Sequence, residues 1–294
     1  MTRLSPTAQG IILMICAVLC FSTMDALAKL LAQRNPVTQV VWARYAGQML
    51  VTSVILAPRL GPLLRTRHLG LQLLRSGFLF AATFCFFTAL SQMEIAAATA
   101  VMNIHPVILT LGAALILREA LGPRRIFGIA AALVGALIVI RPGGEVFSFA
   151  AVLPLLAGIF YSSYALTTRF LGRDESILTS FLYTALIGTI GASLLVIPHW
   201  QTPTAGDAAL LLILGTVGAV GQFLLIRSLT MAEAGAVAPF GYLGVVFATI
   251  WGLAVFGEVP DIWTLVGALV IVGAGVYVWH RETQARASAL KAAP

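Results

Sequence analysis

The residues of this sequence best able to do chemistry are few, and most stand inside long apolar runs. Ser22, Asp25 and Lys29 follow one another at spacings of three and four, which puts them on one face of a helix. Arg44 lies in the next apolar run. An ionisable group within a membrane span costs at least about 2.5–3.5 kcal/mol, so each of these is a functional candidate. Asp25 and Arg44 sit about 9 and 10 Å from the same side at 1.5 Å per residue. Asp25 can therefore pair with Arg44 or, one helical turn along, with Lys29. Two readings stand: a gate latch or contact for a zwitterionic solute, and a structural ion pair holding the first two helices together. Lys29 taken alone reads as a side chain snorkelling to the interface.

A second cluster is Asn103, His105 and Pro106. His105 is about 14 Å from the start of its run, near a bilayer midplane. Pro106 removes a backbone donor and disturbs the carbonyl of Met102. Such a histidine can bind a solute or exchange a proton near neutral pH, or it can simply hydrogen-bond a neighbouring helix. Pro239, Gly241 and Gly244 mark another flexible element. Phe84 with Phe87, and Tyr161 with Tyr164, are spaced by three and can wall an apolar or aromatic solute, as can Tyr242. Each ring alone reads as readily as packing. Gln222 is the better single candidate, because an amide facing lipid is costly. The candidate solute-contact set is thus Ser22, Asp25, Arg44, Phe84, Phe87, Asn103, His105, Tyr161, Tyr164, Gln222 and Tyr242, with Pro106, Pro239, Gly241 and Gly244 as hinges.

Several classes are excluded. The sequence has no HExxH, no GxSxG, no paired aspartates and no metal-ligand cluster, so no catalytic or metal site is expected. No glycine loop follows a strand, and no cofactor is implied. Cys16, Cys20 and Cys85 lie in apolar runs and read as small buried hydrophobes. The net charge of +7 comes from basic residues scattered between apolar runs rather than gathered in a patch, which excludes a nucleic-acid partner.

The elements that must position these groups follow from composition. Of 294 residues, 60% are hydrophobic and 10% charged, far more apolar surface than a soluble core can use. The excess faces lipid. Ten spans are expected, over 10–31, 37–60, 71–91, 96–117, 126–140, 149–170, 176–198, 208–228, 234–256 and 262–279. The fifth is short, with fifteen residues between Arg125 and Arg141. With the N-terminus in the cytoplasm, fourteen of the 18 lysines and arginines fall on the inner side and two, Arg34 and Arg141, on the outer, with Lys29 and Arg44 inside spans. That bias places both termini in the cytoplasm.

The chain also repeats itself. At an offset of 139 residues, Glu94 meets Glu233, Thr110 meets Thr249, Glu119 meets Glu258 and Gly128 meets Gly267. At an offset of 140, the first span aligns with the sixth, and Leu182-Tyr183-Thr184 stands where the first half has Trp42-Ala43-Arg44. Five spans per half is an odd number, so the second copy threads the bilayer in the opposite sense. Inverted repeats of this kind support alternating access in secondary transporters. The four glutamates at span ends read as structural, making helix-end hydrogen bonds or loop ion pairs.

The stretch Arg75-Ser76-Gly77, Ala89-Leu90, Ala96-Ala97-Ala98, Pro106, Glu119, Gly128 and Gly135, echoed by Glu258 and Gly267, resembles an EamA-type domain of the drug/metabolite transporter superfamily. The resemblance runs over about residues 10–280. It implies an all-α polytopic membrane protein, ten transmembrane helices as two inverted five-helix repeats around a central cavity. Residues 10–140 would form the first repeat, 149–280 the second, and 281–294 a disordered cytoplasmic tail. It further implies export of a small metabolite across a bacterial inner membrane, aromatic or neutral amino acids being the nearest class, by a monomer or a dimer whose other partner is membrane lipid.

Overall fold

The computed structural model describes residues 5–117, 123–141, 149–171, 175–232 and 237–292, and among them every regular element is helical. Helix α1 (Pro6–Ala32) starts at Ser5, whose hydroxyl accepts from the amide of Ala8 at 3.2 Å, with Pro6 pre-set for the first turn. Pro36 opens α2 (Val37–Leu56). A short α3 (Leu60–Leu63) leads to α4 (Leu69–Leu90). The next span is broken: α5 (Ile95–Met102) and α6 (His105–Leu117) meet at Asn103 and Ile104, with His105 alone between this break and Pro106 with its missing donor. Helix α7 (Pro123–Ile140) ends the first half.

The second half runs through α8 (Val152–Leu171), α9 (Ile177–Val196) and α10 (Ala205–Met231). Ser176 and Thr204 cap α9 and α10, accepting from Leu178 and Asp207. A 3-10 turn at Ala238–Tyr242 then feeds α11 (Leu243–Trp251), and α12 (Ile262–Ala292) closes the chain. The expected disordered tail is corrected here, since α12 continues unbroken to Ala292.

Among the described residues five helical stretches are long and apolar enough to cross a membrane: Pro6–Ala32, Leu69–Leu90, Ile177–His199, Ala205–Ser228 and Pro239–Phe256. Four shorter apolar stretches join them, Ile95–Leu109, Ile126–Ile140, Val152–Thr168 and Ile262–Tyr277. Large hydrophobic side chains such as Val54, Leu194, Ile197 and Leu269 point outward, as a lipid-facing surface requires.

Packing follows the duplication. α1 lies along α10 and α4 along α8, so the first helix of each half packs on the third of the other. α2 pairs with α9, and α7 with α12, each with its own counterpart. Swapping the halves leaves this pattern unchanged, which is the behaviour of two antiparallel copies about a pseudo-twofold axis. Two of the contacts that need glycine join the halves backbone to backbone. A Cβ on Gly47 of α2 would lie 2.6 Å from the Cα of Gly215 in α10. A Cβ on Gly135 of α7 would lie 3.0 Å from the carbonyl oxygen of Gly267 in α12. Backbones approach closely there because no side chain stands between them.

Candidate functional site

Between the halves lies a cavity of about 490 Å3. Ser22 and Asp25 of α1, Arg44 of α2 and Phe87 of α4 line it. Asn103, His105 and Pro106 reach it from the break between α5 and α6, Tyr161 and Tyr164 from α8, Gln222 from α10, and Gly241 and Gly244 from the segment around α11. A second chamber of about 350 Å3 adjoins it, bounded by Arg75, Thr168, Ser180 and Thr184, with Glu175 also on its lining. Tyr161, Tyr164 and Gln222 border both chambers and form the neck between them.

Two of the expected contacts stand elsewhere. Phe84 turns away from the cavity and stacks on Phe80 at 6.5 Å. Tyr242 points at α12, where its ring fills the space that a side chain at Gly275 would need. Pro239 sits in the 3-10 turn ahead of α11, off the cavity lining. Sequence reasoning missed Thr83, Phe86 and Thr99, which do line the cavity.

The charged groups are arranged otherwise than their spacing suggested. Among the described residues Asp25 makes no ion pair with Arg44 or Lys29. Arg44 Nη1 donates instead to Thr83 Oγ1 at 2.6 Å, and its guanidinium lies 4.8 Å from the Tyr45 ring centre and 6.0 Å from that of Phe87. Tyr45 OH completes this cluster, 2.9 Å from Thr83 Oγ1. Asp25 and Arg44 therefore face one cavity as separate charges rather than as a closed pair. Ser22 Oγ and Thr99 Oγ1, both of residues on the cavity lining, are buried without a hydrogen-bond partner among the described residues. Such groups are costly unless something fills them.

His105 sits where the helix breaks. Its Nδ1 lies 3.2 Å from the carbonyl of Met102, and its ring meets Tyr161 edge-on at 4.8 Å. Its own carbonyl accepts from Ser162 Oγ at 2.7 Å, which ties the break to α8. Tyr161 and Tyr164 are 5.6 Å apart, so one aromatic wall runs from His105 to the neck.

At one end of the cavity Lys29 does not snorkel; that expectation is corrected by its burial and its partners. Its Nζ is 2.5 Å from Glu258 Oε1 and 2.5 Å from the carbonyl of Met93, with the Phe256 ring at 5.3 Å. Glu258 Oε2 in turn accepts from the amide of Ile95 at 3.1 Å, the first residue of α5. Gly257, at φ +67°, makes the left-handed turn that brings Glu258 back to this point. Glu258 so performs both structural tasks read for it from sequence. Glu94 stands beside the pair, and its carboxyl is held above the usual carboxylate range, first by burial and then by the neighbouring Glu258, with Lys29 and Arg141 opposing. Glu119 and Glu233 lie outside the described residues.

Arg75 is the largest omission. Grouped by its position with the basic flanks, it is in fact two turns into α4 and only 4% exposed. The available signal was its place within a continuous apolar helix, between Leu74 and Leu79.

The sequence matches the profile of the EamA-like transporter family twice, over residues 8–141 and 148–279. Among curated proteins it is similar to a riboflavin transporter of Vibrio cholerae, 30% identical over 285 residues and covering 94% of each chain. A pseudopaline exporter of Pseudomonas aeruginosa is 29% identical over 268 residues, covering 90% of this chain and 93% of its own. An S-adenosylmethionine uptake transporter of Rickettsia bellii is 27% identical, covering 90% and 91%. One solved crystal structure superimposes with a TM-score of 0.64 at 20% identity, over 92% of this chain and 96% of that one, a likeness of fold.

Proposed function

Since this chain belongs to the EamA-like transporter family, we propose that it carries a small organic solute through the membrane by alternating access, with ten spans arranged as repeats 10–140 and 149–280 and a tail from 281. Both termini are cytoplasmic in this reading, the membrane is a bacterial inner membrane, and the direction is outward. The observation that carries it is the cavity of about 490 Å3 between the halves, where Asp25 and Arg44 present opposite charges beside the aromatic wall of Tyr161, Tyr164 and Phe87. Such a lining suits a zwitterion with an apolar or aromatic body, and amino acids of the aromatic or neutral kind are the solutes we assign. The relatives' names span riboflavin, pseudopaline and S-adenosylmethionine, and both export and uptake, so they support a metabolite carrier of broad class.

The conformation fits that reading. On the outer side by the basic-residue bias, Lys29 of the first half is joined to Glu258 of the second. The second chamber, beside Glu175, lies toward the opposite, inner side. In this reading the state is inward-facing. Counterflow in liposomes tests the assignment, with aromatic and neutral amino acids, riboflavin and S-adenosylmethionine as the panel. Saturable exchange of an amino acid is the expected result. Unsaturable flux would replace the carrier with a channel, and exchange confined to riboflavin or S-adenosylmethionine would replace the solute.

A further inference from the structure

Arg75 is a buried cation whose partners are all neutral. Nε donates to Thr168 Oγ1 at 2.6 Å, and Nη1 to the carbonyl of Ser180 and to Thr184 Oγ1, both at 2.9 Å. Nη2 donates to Tyr164 OH at 2.9 Å, and the Tyr164 ring centre is 4.7 Å from the guanidinium carbon. Among the described residues no carboxylate lies within ion-pairing distance. Glu175 borders the same chamber, but its carboxylate accepts from Thr66 Oγ1 and the amide of Arg67 at 2.7 and 2.9 Å. A guanidinium buried without a counter-ion is expensive, and hydrogen bonds alone do not neutralise it.

The placement of this charge is specific. At the offset of 140 residues Thr184 corresponds to Arg44, so the second half lacks the arginine of the first. Arg75 reaches across from the first half and sets its guanidinium on Thr184. Each chamber therefore holds one arginine against a threonine hydroxyl, Arg44 on Thr83 and Arg75 on Thr184, and Tyr164 stands on the border between them. The charge missing from position 184 of the second half is thus supplied there by Arg75 of the first.

We propose that Arg44 and Arg75 are two stations for one oxyanion, a carboxylate or phosphate on the transported solute, which meets Arg75 in the inner chamber and Arg44 in the central cavity. Passage between the stations rests on the carrier reading; anion recognition at each does not. An oxyanion supplies the missing counter-charge; four of the five guanidinium N–H groups already have neutral acceptors, so it takes the remaining Nη2 N–H or displaces one of the hydroxyls.

The test uses the purified full chain in nanodiscs and four phenyl compounds: 3-phenylpropionate, phenyl phosphate, phenylalanine and phenethylamine. Thermal stabilisation and displacement should rank the acid-bearing compounds above the amine, and the first two separate carboxylate from phosphate as the preferred anion. Arg75→Gln should weaken the preferred anion at least about tenfold, the worth of one charged hydrogen bond, and leave phenethylamine unchanged. Arg75→Lys should recover part of the loss. Thr184→Val, which keeps the charge and removes one neutral partner, should weaken the anion less and serves if Arg75→Gln does not fold. Phenethylamine binding as well as the acids, no response to any acid, or an unchanged ranking in a merely less stable Arg75→Gln protein each overturns the proposal. Counterflow of the same compounds keeps the two readings apart. Flux without anion preference removes the stations and leaves the carrier, whereas anion binding without flux of any solute removes the carrier and leaves the stations.

Discussion

Lys29 of α1 and Glu258, the residue after the Gly257 turn, meet at 2.5 Å and join the two halves of the chain at one end of the cavity. The ammonium is also held by the Met93 carbonyl, and the carboxylate also caps α5 through Ile95. One pair thus ties together α1, the α4–α5 connection and the end of the α11 segment. These are elements that would have to part for the cavity to open on this side.

Glu258→Gln should loosen that end. Breaking a buried ion pair from one side costs about 3–5 kcal/mol, and a value near the low end suits a carboxylate whose side chain is 19% exposed. The lysine keeps its carbonyl partner, so the fold should survive. With Cys16, Cys20 and Cys85 replaced by Ala, a cysteine at Thr99 should react faster with an impermeant thiol reagent applied from the outer side. The exchanged pair, Lys29→Glu with Glu258→Lys, should slow it again. Equal rates in all three proteins would mean that the pair does not close the cavity.

Glu94 gives the pair a pH dependence. Its folded-state pKa is raised above 4.5, so the folded chain keeps this proton to higher pH than the unfolded chain does. Its contribution therefore favours folding at low pH and is lost as pH rises through the raised value, where the new charge also repels Glu258. Melting temperature measured from mildly acidic to neutral pH should fall less steeply in Glu94→Gln than in the parent, and the substituted protein should be the more stable at neutral pH. A slope unchanged by the substitution would assign the dependence to another group.

What could be read from sequence divides along a physical line. Duplication, apolar runs and basic flanks are properties summed over many residues, and they led to the helical, two-copy fold. Asp25, Lys29 and Arg44 show the limit. Their local spacing invited pairing among neighbours, but the bilayer lets α1 meet α10 and the α11 segment, and the partner of Lys29 came from the far half. Arg75 was hidden for a related reason: close to a span end, an arginine looks the same whether it flanks the lipid or turns inward onto Thr184. Phe84 and Tyr242 failed as cavity contacts because spacing fixes a shared face and leaves open which neighbour that face meets. Pro106 was legible as a break, since a lost backbone donor acts where it stands.

The glycine contacts between the halves predict a sharp contrast in stability. Gly47→Val would drive a branched side chain into the backbone of α10, where even a Cβ would lie 2.6 Å from Gly215 Cα. Helices α2 and α10 would have to separate, at a cost of several kcal/mol by the usual scale of overpacking. Gly77→Ala in α4 meets nothing within 4 Å and should instead gain up to about 1 kcal/mol from helix propensity. Thermal unfolding in detergent separates them: a large fall for the first, a small rise for the second. Comparable effects would show that α2 and α10 do not pack at this glycine pair.

Asp25 and His105 line one cavity, and each can carry a proton, but their partners differ. His105 Nδ1 faces the Met102 carbonyl at the helix break, and the ring is braced by Tyr161. A ring fixed this way is suited to shape the cavity. Asp25 has no ion pair among the described residues and looks across the space at Arg44, so a solute or a proton can change its charge without first breaking a bond. Coupling to a proton gradient should therefore run through Asp25. In liposomes Asp25→Asn should lose uptake driven by a pH gradient and keep counterflow, which needs no net proton movement, at a weaker apparent affinity because the carboxylate also faces the solute. His105→Gln should alter the apparent affinity for solute and keep the response to the gradient. Full gradient-driven uptake in Asp25→Asn would remove Asp25 as the proton carrier, and its loss only in His105→Gln would transfer that role to the histidine.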